Sequence, residues 1–397
     1  MRIVRAVTAL LLAAMLTLSA AAGGGEWTES TREIDGLPAA ALVNTKIPCK
    51  SAILIEQSIG RVLFEKEADL AMPPASITKI MTLLLIVEAL DAGKIALDDP
   101  VTCSPHASSM GGTQIWFEVG ERMTVEELLK ATAIASANDA SVALGELLCG
   151  SEEAFVARMN ERAAELGMTH TVFQNATGLD AQGHQSTARD IALMSAELLR
   201  HPRITQYTTI WMDSLRNGET RVVNTYKLVR FYDVATGLKT GTTDGAGSCL
   251  SASATRKGLG LIAVVLGADT SDQRFGAARG LLDYGFANFE VRPVPAPDPP
   301  LGPIRVQGGV RPQVGLTTLA PERMLLEKGR GSTITQQQLL EPVLTAPIAQ
   351  GDRAGLIRVL LDGVVLSEYE VVTAEAVGAM TLRAALRMLY DELTRMG

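Results

Sequence analysis

The fold is decided by a stretch that begins with two prolines: Pro73-Pro-Ala-Ser-Ile-Thr-Lys-Ile-Met-Thr-Leu-Leu-Leu-Ile-Val-Glu-Ala-Leu90. From Ser76 to Leu90 apolar residues fall on nearly every face of a helix, which predicts that this helix is buried all round. Ser76 and Lys79 stand three residues apart at its start, so both side chains lie on one face and the amine reaches the hydroxyl. This pair is the first candidate for catalytic chemistry.

The surroundings of the pair favour a serine nucleophile with a lysine base. The N-terminus of a helix carries positive potential, which stabilises negative charge that develops at Ser76. Burial disfavours the charged form of an amine and so lowers the pKa of Lys79, which makes the neutral amine available as a general base. The alternative is an ordinary capping serine followed by a solvated lysine.

Mechanisms that depend on histidine are not supported. No histidine lies in an H-E-x-x-H motif, and the chain has no G-x-S-x-G sequence. The pattern therefore argues against a Ser-His-Asp hydrolase and against a standard zinc peptidase. We predict no metal site and no cofactor. The four histidines are His106, His170, His184 and His201.

A second motif, Ser136-Ala-Asn138, interrupts two helical patterns between Met123 and Leu148. Side chains at such a break can point into a cleft. There Ser136 can relay a proton between Lys79 and a leaving amine, and Asn138 can hold a substrate amide. On its own, the motif is more typical of a cap at a helix junction.

A third motif, Lys239-Thr-Gly241, falls on or at the end of a predicted strand. A strand edge can pair with an extended peptide. Lys239 and the hydroxyls of Thr240 and Thr242 can then hold a substrate carboxylate, while Gly241 permits close approach of the backbone. The alternative is a simple turn at the end of the strand.

Strand and helix patterns surround these motifs. A hairpin precedes the buried helix, and three consecutive strands lead into another helix. Strands at both ends with helices between them predict an α+β fold, in which one antiparallel sheet is covered by helices. These strands and the last helix are predicted at Ser51–Glu56, Arg61–Glu65, Val234–Thr240, Ser248–Thr255, Leu259–Gly267 and Arg274–Phe289.

The composition changes at Arg292-Pro-Val-Pro-Ala-Pro-Asp-Pro-Pro300, a proline-rich stretch typical of a stiff linker. Short strands on either side of Gly363 then predict a small all-β domain. The complete assignment is a signal peptide over 1–22, a serine peptidase domain over 37–290, a linker over 291–300, a β-rich domain over 301–372 and an amphipathic helix over 373–397.

The last helical pattern has one apolar face. Charged residues lie opposite that face, and they are too many for a helix that crosses a bilayer. We predict that this helix lies flat on the outer surface of the membrane. Packing on the β-rich domain, or a contact in an oligomer, is the alternative. The apolar residues are Leu382, Leu386, Leu389, Leu393 and Met396.

The first residues predict export. Arg2 and Arg5 precede an apolar run from Ala6 to Leu18, and Ala20-Ala-Ala22 offers small residues for cleavage. An uncleaved anchor is the alternative, although the run is short for a membrane span. The net charge is −8 and no Lys/Arg-rich run occurs, which argues against nucleic acid as a partner.

The four cysteines are widely spaced and match no zinc ribbon and no C-x-x-C motif. We favour buried, unpaired thiols. Disulfides are the alternative in an exported protein, and the sequence does not choose among the three possible pairings. The cysteines are Cys49, Cys103, Cys149 and Cys249.

The sequence resembles the serine D-alanyl-D-alanine carboxypeptidases, the low-molecular-weight penicillin-binding proteins of peptidase family S11. The resemblance covers most of the chain after the predicted signal peptide. It rests on the three motifs in this order. It also rests on Pro105-His-Ala-Ser-Ser-Met-Gly-Gly-Thr-Gln114, Asn175-Ala-Thr-Gly-Leu-Asp180, Lys239-Thr-Gly-Thr-Thr-Asp-Gly-Ala-Gly247, Arg274-Phe275 and Leu281-Leu-Asp-Tyr-Gly-Phe286.

This resemblance implies a β-lactamase/transpeptidase-like domain followed by a small β domain. It implies an acyl-enzyme on Ser76, an oxyanion hole formed by the N–H groups of Ser76 and Thr242, and Arg274 as a contact to the terminal carboxylate. The implied partners are the pentapeptide stems of peptidoglycan, acylating β-lactam antibiotics and the membrane surface. The implied location is the periplasm or the outer face of the cytoplasmic membrane.

Two other functions share part of this pattern. A class A β-lactamase uses an added glutamate in an E-x-x-L-N sequence, and none lies between Ser136 and Lys239. A wall-binding protein with a relic site is disfavoured because the nucleophile, lysines and asparagine of the three motifs are all intact.

Overall fold

The structure is a computed structural model that describes residues 47–329 and 333–395 of the 397-residue chain. The predicted signal peptide over 1–22 lies outside the described residues. So do positions 37–46 of the predicted peptidase domain.

The first domain is built on a five-stranded antiparallel sheet. Its described strands are β1 (Ser51–Glu56), β2 (Val62–Lys66), β3 (Pro100–Thr102), β4 (Arg122–Thr124), β5 (Met212–Leu215), β6 (Thr220–Val223), β7 (Ala235–Thr243), β8 (Gly247–Arg256) and β9 (Leu259–Ala268). The central sheet has the order β2-β1-β9-β8-β7, and β3-β4 and β5-β6 form separate pairs. The predicted hairpin and the three predicted consecutive strands all belong to the central sheet.

Helices cover both faces of this sheet, as β9 shows. Alternate side chains along a strand point to opposite faces. Ile262 and Val264 join the core that contains the predicted buried helix, whereas Leu261 and Val265 join a second core on the other face. This burial on both sides explains why β9 is apolar throughout. The α+β prediction is therefore confirmed.

The described helices begin and end near local signals. Thr270 and Gln273, for example, form a capping box at the start of the helix that covers the second core. The helices are α1 (Lys79–Asp91), α2 (Pro105–Ser108), α3 (Val125–Lys130), α4 (Asn138–Cys149), α5 (Glu152–Glu165), α6 (Ala188–Leu199), α7 (Thr205–Thr208), α8 (Leu228–Phe231), α9 (Ser271–Asn288) and α10 (Leu382–Arg395).

A β-rich domain follows. Its strands are β10 (Phe289–Pro293), β11 (Ile304–Gln307), β12 (Gln313–Val314), β13 (Leu316–Thr318), β14 (Arg323–Glu327), β15 (Ile334–Leu340), β16 (Val343–Thr345), β17 (Arg353–Leu361) and β18 (Val364–Thr373). They form sheets in the orders β13-β18-β17-β15, β12-β11-β16 and β10-β14. Two small hydrophobic clusters, one around Ile357 and Val371 and one around Val314 and Val377, are separate from both cores of the first domain.

The junction between the domains differs from the sequence assignment of a linker over 291–300. Strand β10 continues to Pro293 and pairs with β14, so the chain enters the second domain as a strand. Pro293 is the last residue of β10, where the N–H group that proline lacks is dispensable. The stretch without helix or strand runs from 294 to 303.

The terminal helix begins at Leu382, later than the sequence assignment of 373–397, because Thr373 ends β18 and Val377 and Ala379 then form strand bridges within the β-rich domain. Its leucines are exposed: Leu382, Leu386, Leu389 and Leu393 retain 78, 59, 58 and 63% of their accessible surface. The β-rich domain therefore does not bury this face. Met396 lies outside the described residues. No helix in the described ranges is long and apolar enough to cross a membrane.

All four cysteines are free thiols in the structure. Cys103 and Cys249 are buried, whereas Cys49 and Cys149 are partly exposed. The predicted burial holds for two of the four cysteines.

Candidate active site

The proposed nucleophile lies in a tight turn. Ala75–Thr78 forms a 3-10 helix, and α1 starts only at Lys79, three residues after the predicted start at Ser76. A 3-10 helix has three residues per turn, so positions three apart are eclipsed. Lys79 Nζ accordingly lies 3.0 Å from Ser76 Oγ. Ala75, directly before the serine, has a φ of +49°, in the left-handed region.

Lys79 is fully buried, and the partners of its amine come from three segments of the chain. Besides Ser76, Nζ donates to Asn138 Oδ1 at 2.6 Å and to the carbonyl of Thr177 at 2.7 Å. Burial lowers the pKa of Lys79 well below its usual value; the charge of Lys239 lowers it further, and Asp139 opposes the change. A neutral amine in contact with a serine hydroxyl is what a lysine general base requires.

The second motif lies where two helices meet. After α3 a π-helix spans Ala131–Ala135, and Ser136 ends it with a left-handed φ of +67°. This irregularity turns the chain so that α4 begins at Asn138, with its side chain toward Lys79. Asn138 Nδ2 also donates to the carbonyl of Gly111 at 2.7 Å. Ser136 is buried at this junction, but among the described residues it is not a hydrogen-bond partner of the Lys79 amine.

The third motif lies inside β7, the last strand of the sheet, rather than at the end of a strand. Lys239 is 1% exposed, and burial, reinforced by the charge of Arg274, lowers the pKa of Lys239 to about 7. A side chain on Gly241 would begin 2.9 Å from both Ala75 Cβ and the Ser76 nitrogen. Glycine at this position therefore lets the strand approach the nucleophile.

Arg274 reaches β7 from α9. Its Nη1 donates to the Gly241 carbonyl at 2.8 Å, to Thr242 Oγ1 at 2.7 Å and to the Cys249 carbonyl at 3.3 Å. Thr242 Oγ1 in turn donates to the Gly241 carbonyl, whereas Thr240 Oγ1 donates to Thr225. The structure thus links Ser76 to Lys79, and Lys79 to Asn138, by hydrogen bonds, and it brings Gly241 of β7 against Ser76. Arg274 joins Gly241 and Thr242, while Lys239 and Thr240 are buried in the same strand. Ser136, the ninth predicted site residue, is buried at the junction before α4.

The loop Asn175–Asp180 is a part of the site to which no role was assigned from sequence. It supplies the Thr177 carbonyl to Lys79, and a side chain on Gly178 would begin 1.8 Å from the Ala75 carbonyl oxygen. Asn175 Oδ1 shapes the loop by accepting the N–H groups of Thr177 and Gly178. Asparagine side chains commonly accept main-chain N–H groups two or three residues later in a turn, so Asn175 followed by Gly178 is a sequence signal for a turn here.

Neither histidines nor a metal cluster adjoin Ser76 in the described part of the chain. His184 forms a hydrogen bond with Thr78, and its Nδ1 accepts the Gln174 N–H. His184 is buried, and this burial lowers its pKa to about 4. A group of potential metal ligands, Glu88, Glu197 and His201, lies elsewhere, and Arg162 binds both of its carboxylates.

The chain matches the family model described as D-alanyl-D-alanine carboxypeptidase over residues 38–270, more than half of its length. The chain belongs to the D-alanyl-D-alanine carboxypeptidase family. A second match, to the C-terminal domain of penicillin-binding protein 5, covers 289–379. The carboxypeptidase DacF of Bacillus subtilis is 44% identical over 330 residues, 82% of this chain and 85% of that protein. DacC of Escherichia coli is 36% identical over 339 residues, 83% of this chain and 84% of that protein.

Solved structures agree with the family assignment. The crystal structure of penicillin-binding protein 5 from Haemophilus influenzae has a TM-score of 0.78 and 29% identity, and the match covers 85% of this chain and all of that one. Penicillin-binding protein D2 of Listeria monocytogenes in its ampicillin-bound form has a TM-score of 0.56 and 32% identity, over 61% of this chain and 99% of that one. The predicted D-alanyl-D-alanine carboxypeptidase activity, with peptidoglycan as substrate and β-lactams as ligands, is confirmed at the level of the family.

Proposed function

We propose that Ser76 is the nucleophile that carries the acyl group during removal of the terminal D-alanine from a peptidoglycan stem. Neutral Lys79 takes the hydroxyl proton as Ser76 Oγ attacks the carbonyl carbon of the penultimate D-alanine. The peptide C–N bond then breaks, D-alanine leaves with a proton, and water later hydrolyses the ester. The observation that carries this proposal is the 3.0 Å contact between Ser76 Oγ and a fully buried lysine amine.

The remaining residues of the site have proposed roles around this step. The N–H groups of Ser76 and Thr242 stabilise the oxyanion, and Asn138 holds the substrate amide. Ser136 delivers the proton to the leaving amine. Gel analysis with a labelled penicillin tests the proposal, because only a competent serine traps the drug covalently. The same analysis distinguishes an enzyme from a wall-binding protein with a relic site.

We further propose that Lys239 and Arg274, aided by Thr240 and Thr242, bind the free carboxylate of the terminal D-alanine. Both cations are buried: Lys239 lies in β7 and Arg274 bonds to that strand, along which an extended peptide can pair. A buried cation left without its anion costs much more than an exposed one, so the site discriminates strongly between charged and neutral chain ends.

Peptides that end in an amide should therefore be poorer substrates than the same peptides with a free carboxylate, by about 10²-fold or more in kcat/KM. The measurement is D-alanine or D-alaninamide release from matched peptides. Arg274→Gln should narrow this ratio, whereas Arg279→Gln, an exposed arginine of the same helix α9, should leave it unchanged. Equal turnover of acid and amide by the wild-type enzyme contradicts the assignment.

The terminal helix α10 is proposed to hold the enzyme on the outer surface of the membrane. Four exposed leucines lie along it, and each contributes about 1.5–3 kcal/mol when fully buried in an apolar phase. Along this helix Arg383, Arg387 and Arg395 are largely offset by Asp391 and Glu392, so apolar burial rather than charge dominates the attraction. Since peptidoglycan is assembled outside the cytoplasm, the proposal also places the enzyme after export.

A chain that ends at Thr381 should lose membrane association, because it keeps the strand bridges at Val377 and Ala379 but lacks α10. Leu386→Gln with Leu389→Gln should have the same effect in the full-length protein. Leu319→Gln is the control, since Leu319 is equally exposed but lies in the β-rich domain. The measurement is sedimentation with membranes at high salt. Undiminished pelleting of the shortened chain shows that α10 is not the anchor.

A further inference from the structure

A buried carboxylate follows directly after Asn138, the residue whose amide oxygen contacts the proposed catalytic lysine. Asp139, the residue after Asn138, is 0% exposed. Its carboxylate accepts the N–H groups of Ile115 at 3.0 Å, Phe117 at 3.0 Å and Ala140 at 2.8 Å. All of its hydrogen-bond partners among the described residues are main-chain N–H groups, so its charge is not cancelled by a paired lysine or arginine.

The segment that Asp139 holds is fixed from the opposite side by a cation. Arg216 donates to the carbonyl of Ile115 at 3.0 Å and to that of Trp116 at 3.2 Å, and Glu121 binds the same guanidinium at 2.6 Å. Between these two clamps Trp116 has a left-handed φ of +59°, which bulky residues rarely adopt. The conformation of this segment is therefore imposed by its charged neighbours.

The clamped segment reaches the proposed base through Asn138. The residues just before it supply two acceptors: the Thr113 carbonyl takes the Asn138 N–H at 2.7 Å, and the Gly111 carbonyl takes Asn138 Nδ2 at 2.7 Å. Because Nδ2 is held in this way, the amide oxygen of Asn138 must face the amine of Lys79, which it meets at 2.6 Å.

The charge of Asp139 also acts on the amine of Lys79. Lys79 and Lys239 are both fully buried, and Asp139 is the anion that counteracts burial and Lys239 in setting the pKa of Lys79. The other titrating groups near this carboxylate are Arg216, paired with Glu121, and the Cys103 thiol. A base whose basicity falls too far transfers protons slowly, so such an anion has a catalytic use.

We propose that Asp139 is a positioning residue of the acylation site, which fixes the 111–117 segment against Asn138 and places a negative charge near Lys79. This inference rests on the proposed acyl-enzyme at Ser76. Two variants test the two roles. Asp139→Asn removes the charge at nearly constant size but turns an NH2 group toward a main-chain N–H, so the pH at which acylation fails reports the charge and the plateau does not. Asp139→Glu keeps the charge and displaces the carboxylate.

The test is the pH dependence of acylation by a fluorescent penicillin, expressed per acylatable site so that unfolded protein does not contribute. Losing the anion lowers the pKa of Lys79, so neutral amine persists to lower pH. Asp139→Asn should shift the acid limb of the acylation profile to lower pH and reduce the plateau about tenfold. Asp139→Glu should reduce the plateau and leave the acid limb in place.

Asp190 offers a matched control. It is another buried carboxylate that accepts a main-chain N–H, from His170 at 2.9 Å, and a hydroxyl, from Thr171 at 2.7 Å. Asp190→Asn should lower the melting temperature without moving the acid limb. An unmoved limb in Asp139→Asn, or an equal shift in Asp190→Asn, overturns the role of the charge.

The positioning role has its own decisive result. If Asp139→Glu is acylated at the wild-type plateau rate, Asp139 does not position the site. This result is conclusive even if Asp139→Asn yields no folded protein. A wild-type enzyme that penicillin does not label at Ser76 contradicts the proposed function instead. The failure of either proposal is thus distinguishable from the failure of the other.

Discussion

Ser76→Ala should abolish both covalent labelling by penicillin and release of D-alanine. The remaining groups can still bind the peptide, but no oxygen is left at the position from which Lys79 would remove a proton. Ser76 is only half-buried, so the loss of one hydroxyl should leave the melting temperature nearly unchanged. The measurement combines a labelled-penicillin gel with a D-alanine assay on a pentapeptide stem.

The control for this variant is Ser109→Ala. Ser109 is exposed, and among the described residues its hydroxyl bonds only the His106 carbonyl, outside the cluster around Lys79. This variant should be labelled and should release D-alanine as the wild type does. Labelling of Ser76→Ala at full stoichiometry would show that another residue is acylated, and peptide mapping of the adduct would then identify it.

Lys79→Arg should slow acylation by about 10²–10⁴-fold, the usual contribution of a general base. An arginine keeps the positive charge but does not lose its proton at any working pH. The acid limb of the acylation profile, which we attribute to deprotonation of the buried amine, should disappear together with most of the rate. Stopped-flow acylation between pH 5 and about 9 measures both effects.

The space around Lys79 is closely filled, so a larger arginine can also disturb folding. Lys79→Met separates the two effects, because methionine fits a lysine-sized cavity without overfilling it. It removes the base and leaves Asn138 Oδ1 and the Thr177 carbonyl without their donor. A slow but folded Lys79→Met variant supports the general base. Acylation near the wild-type rate by either variant rules it out.

The sequence predicts the chemistry of the site better than the contacts that assemble it. The i and i+3 spacing of Ser76 and Lys79 is local, and so is the apolar pattern of β9; both could be predicted. The role of the Thr177 carbonyl could not be predicted, because every residue has a main-chain carbonyl. Thr177 is 98 positions from Lys79 in the sequence, and only the fold brings the two together. The same holds for Asp139, which looks like an ordinary helix-start aspartate until its partners are known.

Local conformation was hidden for a different reason. A left-handed φ is expected at glycine or asparagine, and neither Ser136 nor Ala75 gives such a signal. The proline-rich composition led to a wrong prediction at the domain junction. Arg292 and Pro293 were assigned to a linker, but they end strand β10, because a strand can end on proline where no partner needs its N–H group. The main chain and its partners decide these positions more than side-chain type does.

The left-handed residues have a thermodynamic consequence. Ala75, Trp116 and Ser136 each hold a backbone conformation that costs about 1–3 kcal/mol, in a class of proteins whose net stability is only about 5–15 kcal/mol. These three conformations therefore lower the free energy of unfolding of this domain by a sizeable fraction. Mutations that raise the melting temperature without loss of activity should therefore lie far from these three positions. Substitutions that relieve the left-handed strain at these positions should raise the melting temperature but lower the activity.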